Sequence, residues 1–152
     1  MRLRPPWREE RGLIRVSLNF YKGSELATHS DTIHFNSIPQ RWMCGVWVAL
    51  EDVTVESGAL HYYPGSHKMP TLDTADTSST LVTDEPEQLY TAYRNNYIPA
   101  IKELIELSGL KKEIFLPKKG DCLVWSANLL HGGDPILNRN LTRLSQVTHY
   151  FF

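Results

Sequence analysis

The chain has 152 residues, one domain's worth, with 41% hydrophobic and 22% charged residues, an ordinary composition for a folded globular protein. Lys and Arg number 16 against 17 Asp and Glu, so the formal net charge of −1 gives no electrostatic reason to expect nucleic acid or an anionic membrane as partner. No stretch is apolar enough to span a bilayer, and the basic start Met1–Arg8 lacks the apolar run of a secretory signal. Two cysteines, Cys44 and Cys122, exclude a disulfide scaffold, and the expectation is two buried reduced thiols in a cytoplasmic protein.

Residues 1–12 are polar, Arg-rich and Pro-containing, and read as an N-terminal arm. Residues 13–152 read as one core. Leu13–Tyr21 alternates, with Val16, Leu18 and Phe20 on one face, and predicts a strand. Ala27–Phe35 predicts a second strand. Met43–Leu50 is the clearest. Cys44, Val46, Val48 and Leu50 make one apolar face. Met43, Gly45, Trp47 and Ala49 make another, whose small residues beside one large ring suit a cavity wall, although plain core packing accounts for both faces. Gly58–Tyr63 is a further strand, ended by the turn signal Pro64-Gly65.

Residues 68–110 break the β pattern. Lys68–Gln88 is a polar excursion read as a mobile lid. Leu89, Tyr93, Tyr97, Ile101 and Leu104 recur at helical spacing, with Pro99 predicting a kink or two shorter helices and Gly109 a stop. Strands resume at Glu113–Leu116, Asp121–Ser126, Leu129–His131 and Arg143–Phe152. Eight strand candidates and one helical insertion make a mainly β protein, a barrel or sandwich.

Three residues suggest a metal site. Alternation along a strand puts His29 and Asp31 on one side. His131, before Gly132-Gly133, offers a second imidazole. Two histidines and one carboxylate with open positions suit non-haem Fe(II) chemistry with oxygen. Arg143 and Ser145 share a face of the last strand, and a guanidinium beside a hydroxyl grips a carboxylate well. A carboxylate co-substrate that also chelates the metal follows. His34, at an odd offset from His29, is expected on the opposite face. His61, His67 and His149 have no role in this scheme.

The residues His29-Ser30-Asp31, Trp47 within Gly45–Leu50, Gly58-Ala59-Leu60, Pro64–His67, His131-Gly132-Gly133 and Arg143-x-Ser145 occur in an order that resembles the phytanoyl-CoA dioxygenase family of Fe(II)- and 2-oxoglutarate-dependent oxygenases. The resemblance runs from about Phe20 to the C-terminus. It implies a double-stranded β-helix, a jelly-roll or cupin-like barrel. The metal pair would sit on the second strand, His131 on the seventh and Arg143 on the eighth. It also implies Fe(II) held by His29, Asp31 and His131, 2-oxoglutarate held by Arg143 and Ser145 against Trp47, and O2 as oxidant. The implied reaction is hydroxylation of a small organic molecule with release of succinate and carbon dioxide. Asp31 favours hydroxylation, because halogenating relatives carry a small residue there.

Two departures from the family pattern shape further expectations. Relatives usually carry a longer helical region before the first core strand, so the expectation is a fragment, a minimal core with a more open pocket, or a homo-oligomer covering the side left open. Ser30 stands where relatives often have a longer polar side chain, so Asn19 and Tyr21 are expected to help hold 2-oxoglutarate instead. The alternative reading is a non-catalytic barrel that binds metal or a small ligand. A cupin-like isomerase or hydrolase would leave Arg143 and Ser145 without a task.

Overall fold

Two antiparallel sheets face each other, with His29, Asp31 and His131 lining the space between them. The computed structural model describes residues 13–35, 37, 39–72 and 85–152, with side chains described from residue 17 onward. The arm at 1–12 and most of the polar excursion, 73–84, lie outside the described residues. The larger sheet has the order β1-β7-β2-β5, formed by β1 (Leu13–Phe20), β7 (Ser145–Phe151), β2 (Met43–Ala49) and β5 (Cys122–Ser126). The smaller has the order β4-β3-β6, formed by β4 (Glu113–Phe115), β3 (Leu60–Tyr62) and β6 (His131–Gly133). This is the double-stranded β-helix, with its two sheets not joined into one closed ladder among the described residues.

β2 shows why the chain folds this way. Its burial alternates, with Met43, Gly45, Trp47 and Ala49 buried and Cys44, Val46 and Val48 half-buried. The face of small residues and one ring is therefore the inner one. The wholly apolar face points outward, as an antiparallel sheet with one covered side permits. The expectation of two buried thiols is corrected in part: Cys44 is half-buried and Cys122 exposed, both free. Gly45 pairs with Trp125 of β5. A Cβ on Gly45 would lie 2.4 Å from the Trp125 ring, so glycine here admits the indole. Gly45→Ala is expected to cost about 2 kcal/mol by overpacking and to lower Tm by roughly 5 °C in a calorimetric scan. An unchanged Tm would mean that Trp125 has room to move.

Trp47, Trp125, Leu60, Leu129 and Val147 pack between the sheets with Ala49, Val53 and Ala59 as the main core. The helical insertion makes a second core, where Tyr97 and Ile101 meet Leu130. It consists of α1 (Pro86–Ala92), a π turn over Tyr93–Tyr97, and α2 (Ile98–Ser108) ended by Gly109 at φ 67°. The break falls just before Pro99. A proline cannot donate to the carbonyl four residues back, and its ring crowds that carbonyl, so a widened turn ahead of it relieves both problems.

The second predicted strand is not one. Around the ligands, residues 28–35 make a single bridge at His29 and then a 3-10 turn over Asp31–Ile33. Local polar contacts displace the ladder. Tyr97 Oη accepts from the Ser30 N–H at 3.1 Å, the Ser30 and Thr32 hydroxyls bond at 2.6 Å, and the Asp31 carbonyl accepts from His34 and Phe35. Seven strands, not eight, are therefore described.

Candidate metal centre

His29 and His131 meet through their backbones. Each accepts a 2.9 Å hydrogen bond from the other's N–H. The bridge aims both imidazoles at one point, while the 3-10 turn swings the Asp31 side chain to meet them. The three ligand atoms lie within 4.8 Å of one another, and all three residues are buried. Asp31 Oδ1 is 3.5 Å from His131 Nε2 and 3.9 Å from His29 Nε2. Two metal–ligand bonds of about 2.1 Å each span up to about 4.2 Å, so one ion can bridge either pair.

Each donor is prepared for that task. His29 Nδ1 lies 2.8 Å from the Ala27 carbonyl and His131 Nδ1 lies 2.9 Å from the Leu129 carbonyl. A carbonyl only accepts, so both rings carry the proton on Nδ1 and present the Nε2 lone pair inward. Burial, with His131 beside it, pushes the His29 imidazole down to about 3, so it is neutral at physiological pH. Burial alone would raise the Asp31 carboxyl. His131, His149 and the Trp125 N–H outweigh it and hold the group below the usual carboxylate range. Trp125 Nε1 donates to Asp31 Oδ2 at 2.7 Å, and His149 Nε2 is 3.3 Å from the same oxygen. Oδ2 is thereby occupied and Oδ1 left for a metal.

A cavity of about 190 Å³ opens beside the triad, between the sheets. At one end Arg143, 2% exposed, lies with its guanidinium carbon 5.7 Å from the Trp47 ring centre and 5.9 Å from that of Phe20. Its Nη1 donates to the Gly58 carbonyl at 3.0 Å, while its Nε is buried without a partner. Burial pulls its pKa down to about 10, so it keeps its charge at neutral pH. Ser145 is fully buried, and its hydroxyl also lacks a partner. Among the described residues no carboxylate pairs with Arg143. A buried cation without a counter-ion is costly, and an anion entering the cavity would relieve it.

The structure thus brings together His29, Asp31 and His131, and puts Trp47 and Arg143 on the cavity wall with Ser145 at the start of β7. Arg143 precedes that strand rather than opening it, its N–H bound to the Tyr21 carbonyl at 3.0 Å. Asn19 is not brought to the cavity. β1 turns Leu18 and Phe20 inward, so Asn19 faces out and accepts a hydrogen bond from Gln146. Tyr21 is exposed as well.

His34 and His149 depart from expectation the other way. The turn after Asp31 destroys strand parity and brings His34 to the cavity wall, 5.3 Å from the His29 ring. His149 shares the inner face of β7 with Ser145 and Val147, and parity from Ser145 would have placed it there. Trp125 had no such signal, because its link to Asp31 depends on the β2–β5 register.

A jelly roll with two imidazoles and a carboxylate converging beside an anion-hungry arginine is the architecture of the non-haem iron, 2-oxoglutarate-dependent oxygenase class. The model of one family, phytanoyl-CoA dioxygenase, matches residues 8–143, and the chain belongs to that family. A relative from Dictyostelium discoideum, phytanoyl-CoA dioxygenase domain-containing protein 1 homolog, is 26% identical over 91% of this chain and 45% of its own length. EctD from S. alaskensis, solved in its apoform, superposes at a TM-score of 0.65 with 23% identity over 94% of this chain and 46% of that one. The epimerase SnoN, solved in complex with Fe3+, alpha ketoglutarate and nogalamycin RO, superposes at 0.61 with 25% identity over 89% and 47%. The chain spans about half the length of each of these three. Among the described residues, no helix is long and apolar enough to cross a membrane.

Proposed function

We propose that the chain is an Fe(II)- and 2-oxoglutarate-dependent dioxygenase that hydroxylates a small organic molecule and releases succinate and carbon dioxide. The carrying observation is one cavity with a three-donor metal set at one place and a buried, uncompensated cation at another. His29, Asp31 and His131 hold the metal on one side and leave the cavity side open. Arg143 and the Ser145 hydroxyl take the far carboxylate of 2-oxoglutarate, and Trp47 walls that end. Fe(II) with 2-oxoglutarate and O2 supplies the oxidising power for C–H hydroxylation. Trp125 and His149 hold Asp31 in its one-oxygen pose while the apolar walls, Leu18, Phe20, Leu60 and Val147 among them, exclude water. The SnoN complex supports the pairing of iron with alpha ketoglutarate on this fold.

The test is anaerobic titration of the protein with Fe(II) and then 2-oxoglutarate. A weak visible charge-transfer band should appear only when both are present. Metal uptake without a band at saturating 2-oxoglutarate would favour the non-catalytic metal-binding barrel. No uptake would leave neither reading standing.

A further inference from the structure

Behind the metal centre, on the other face of the smaller sheet, lies a polar cluster that the proposed reaction does not use. His61, in the middle of β3, pairs with Gly132 of β6 and is only 6% exposed. Beyond β6 runs the segment 26–29, tied to it by Gly133 N–H to the Leu26 carbonyl and by the His29–His131 bridge. Three chain segments therefore lie side by side: His61 on the first, His131 on the second, His29 on the third.

The His61 imidazole crosses all three. Its Nε2 is 2.8 Å from the hydroxyl of Thr28, the residue before His29. Its Nδ1 is 2.8 Å from Asp134 Oδ1, three residues after His131. Asp134 is held in turn by Lys112, whose Nζ donates to both carboxylate oxygens at 3.0 and 3.2 Å. The Asp134 carboxylate faces Nδ1 as a close ion-pair contact outside hydrogen-bond geometry, which favours the ring proton on Nδ1 and leaves Nε2 to accept from Thr28. Burial pushes this imidazole down against the pull of Asp134, so the neutral ring that this pattern needs is the stable one.

Gly132 makes the crossing possible. A Cβ there would fall 2.9 Å from His61 Cε1 and Nε2 and 2.6 Å from the Leu26 carbonyl. The glycine after His131 thus makes room for a ring on the far face.

We propose that His61 is a positioning residue of the metal centre, fixing the Thr28–His29 segment against the strand of His131 and so setting the spacing of the two ligand nitrogens. The proposal rests on the metal reading above. It assigns a role to a histidine that touches neither the metal ligands' side chains nor the cavity. Its path is short: a hydroxyl held at Thr28 fixes the backbone of the next residue, whose imidazole is a ligand.

Co(II), a spectroscopic probe for such a site, tests it by visible titration of four proteins: wild type, Thr28→Val, His61→Ala and the double variant. Each single change is expected to weaken Co(II) binding by about 10-fold, the low end for residues supporting metal ligands, and to alter the d–d bands. The double variant should be no weaker than either single one, because both break the same link. His61→Gln, whose amide can accept from Thr28 and donate to Asp134, should recover most of the affinity.

A cluster that only stabilises the fold would lower Tm and leave the Co(II) affinity and bands of the folded variants as in wild type. That result, or strictly additive losses, overturns the proposal. If His61→Ala does not fold, Thr28→Val decides alone by the same criterion. Wild type that takes up no Co(II) overturns the metal reading and the positioning role together. Wild type that binds, with both single variants unchanged, overturns only the latter.

Discussion

His131→Ala is expected to abolish the Fe(II)·2-oxoglutarate band and to weaken Fe(II) binding by more than the roughly 100-fold seen at most for residues that merely support a ligand. The reasoning is a count of donors. His131 supplies one of three ligand atoms, and its Nε2 lies 3.5 Å from the only Asp31 oxygen left free. The backbone bridge to His29 uses main-chain atoms alone, so it survives the substitution and the fold should persist. Metal content after dialysis, read with the visible spectrum, checks this. A folded variant that keeps the wild-type band would remove His131 from the centre.

Arg143→Ala should separate the two halves of the cavity. Fe(II) binding is expected to stay near wild type, since Arg143 is not among the converging donors. Binding of 2-oxoglutarate should weaken by about 100-fold, consistent with losing charge-assisted hydrogen bonds worth about 1.5–3 kcal/mol. Thermal shift gives a second readout. In the presence of the metal, 2-oxoglutarate should raise the Tm of wild type by binding only the native state, and raise that of the variant far less at the same concentration. Equal shifts in both proteins would mean that the co-substrate carboxylate rests elsewhere. Arg143→Lys should fall between, because an ammonium keeps the charge but not the planar fork.

Much of this was legible in the sequence, for reasons that differ by residue. Alternation located β1 and β2, because a strand's side chains repeat every two residues. It also put Trp47 on the face of small residues. His29 and Asp31 converge, though not by the strand geometry that spacing suggested. The bridge at His29 supplies one direction and the 3-10 turn the other, so a two-residue interval gave the right meeting for an incomplete reason. In that turn the Tyr97 phenol takes the Ser30 N–H and the Asp31 carbonyl takes those of His34 and Phe35, groups that a ladder would have used. Tyr97 lies far along the chain, beyond any local pattern. His34 was misplaced for the same cause. Asn19 failed on orientation: its strand was foreseen, but Leu18 and Phe20 face the cavity and Asn19, between them, points the other way. Trp125 and His61 act through register, Gly45 opposite one and Gly132 opposite the other, and a single sequence carries register only weakly.

The proton on each ligand histidine is held by the carbonyl two residues earlier in its own chain segment. Those acceptors belong to Ala27 and Leu129, yet neither side chain takes part. Where a carboxylate side chain takes this task instead, a single mutation can delete it. Here every amino acid at position 27 or 129 brings the same oxygen. The tautomers of His29 and His131 are thus independent of the side chains at 27 and 129, so substitutions there leave both Nε2 lone pairs facing the cavity.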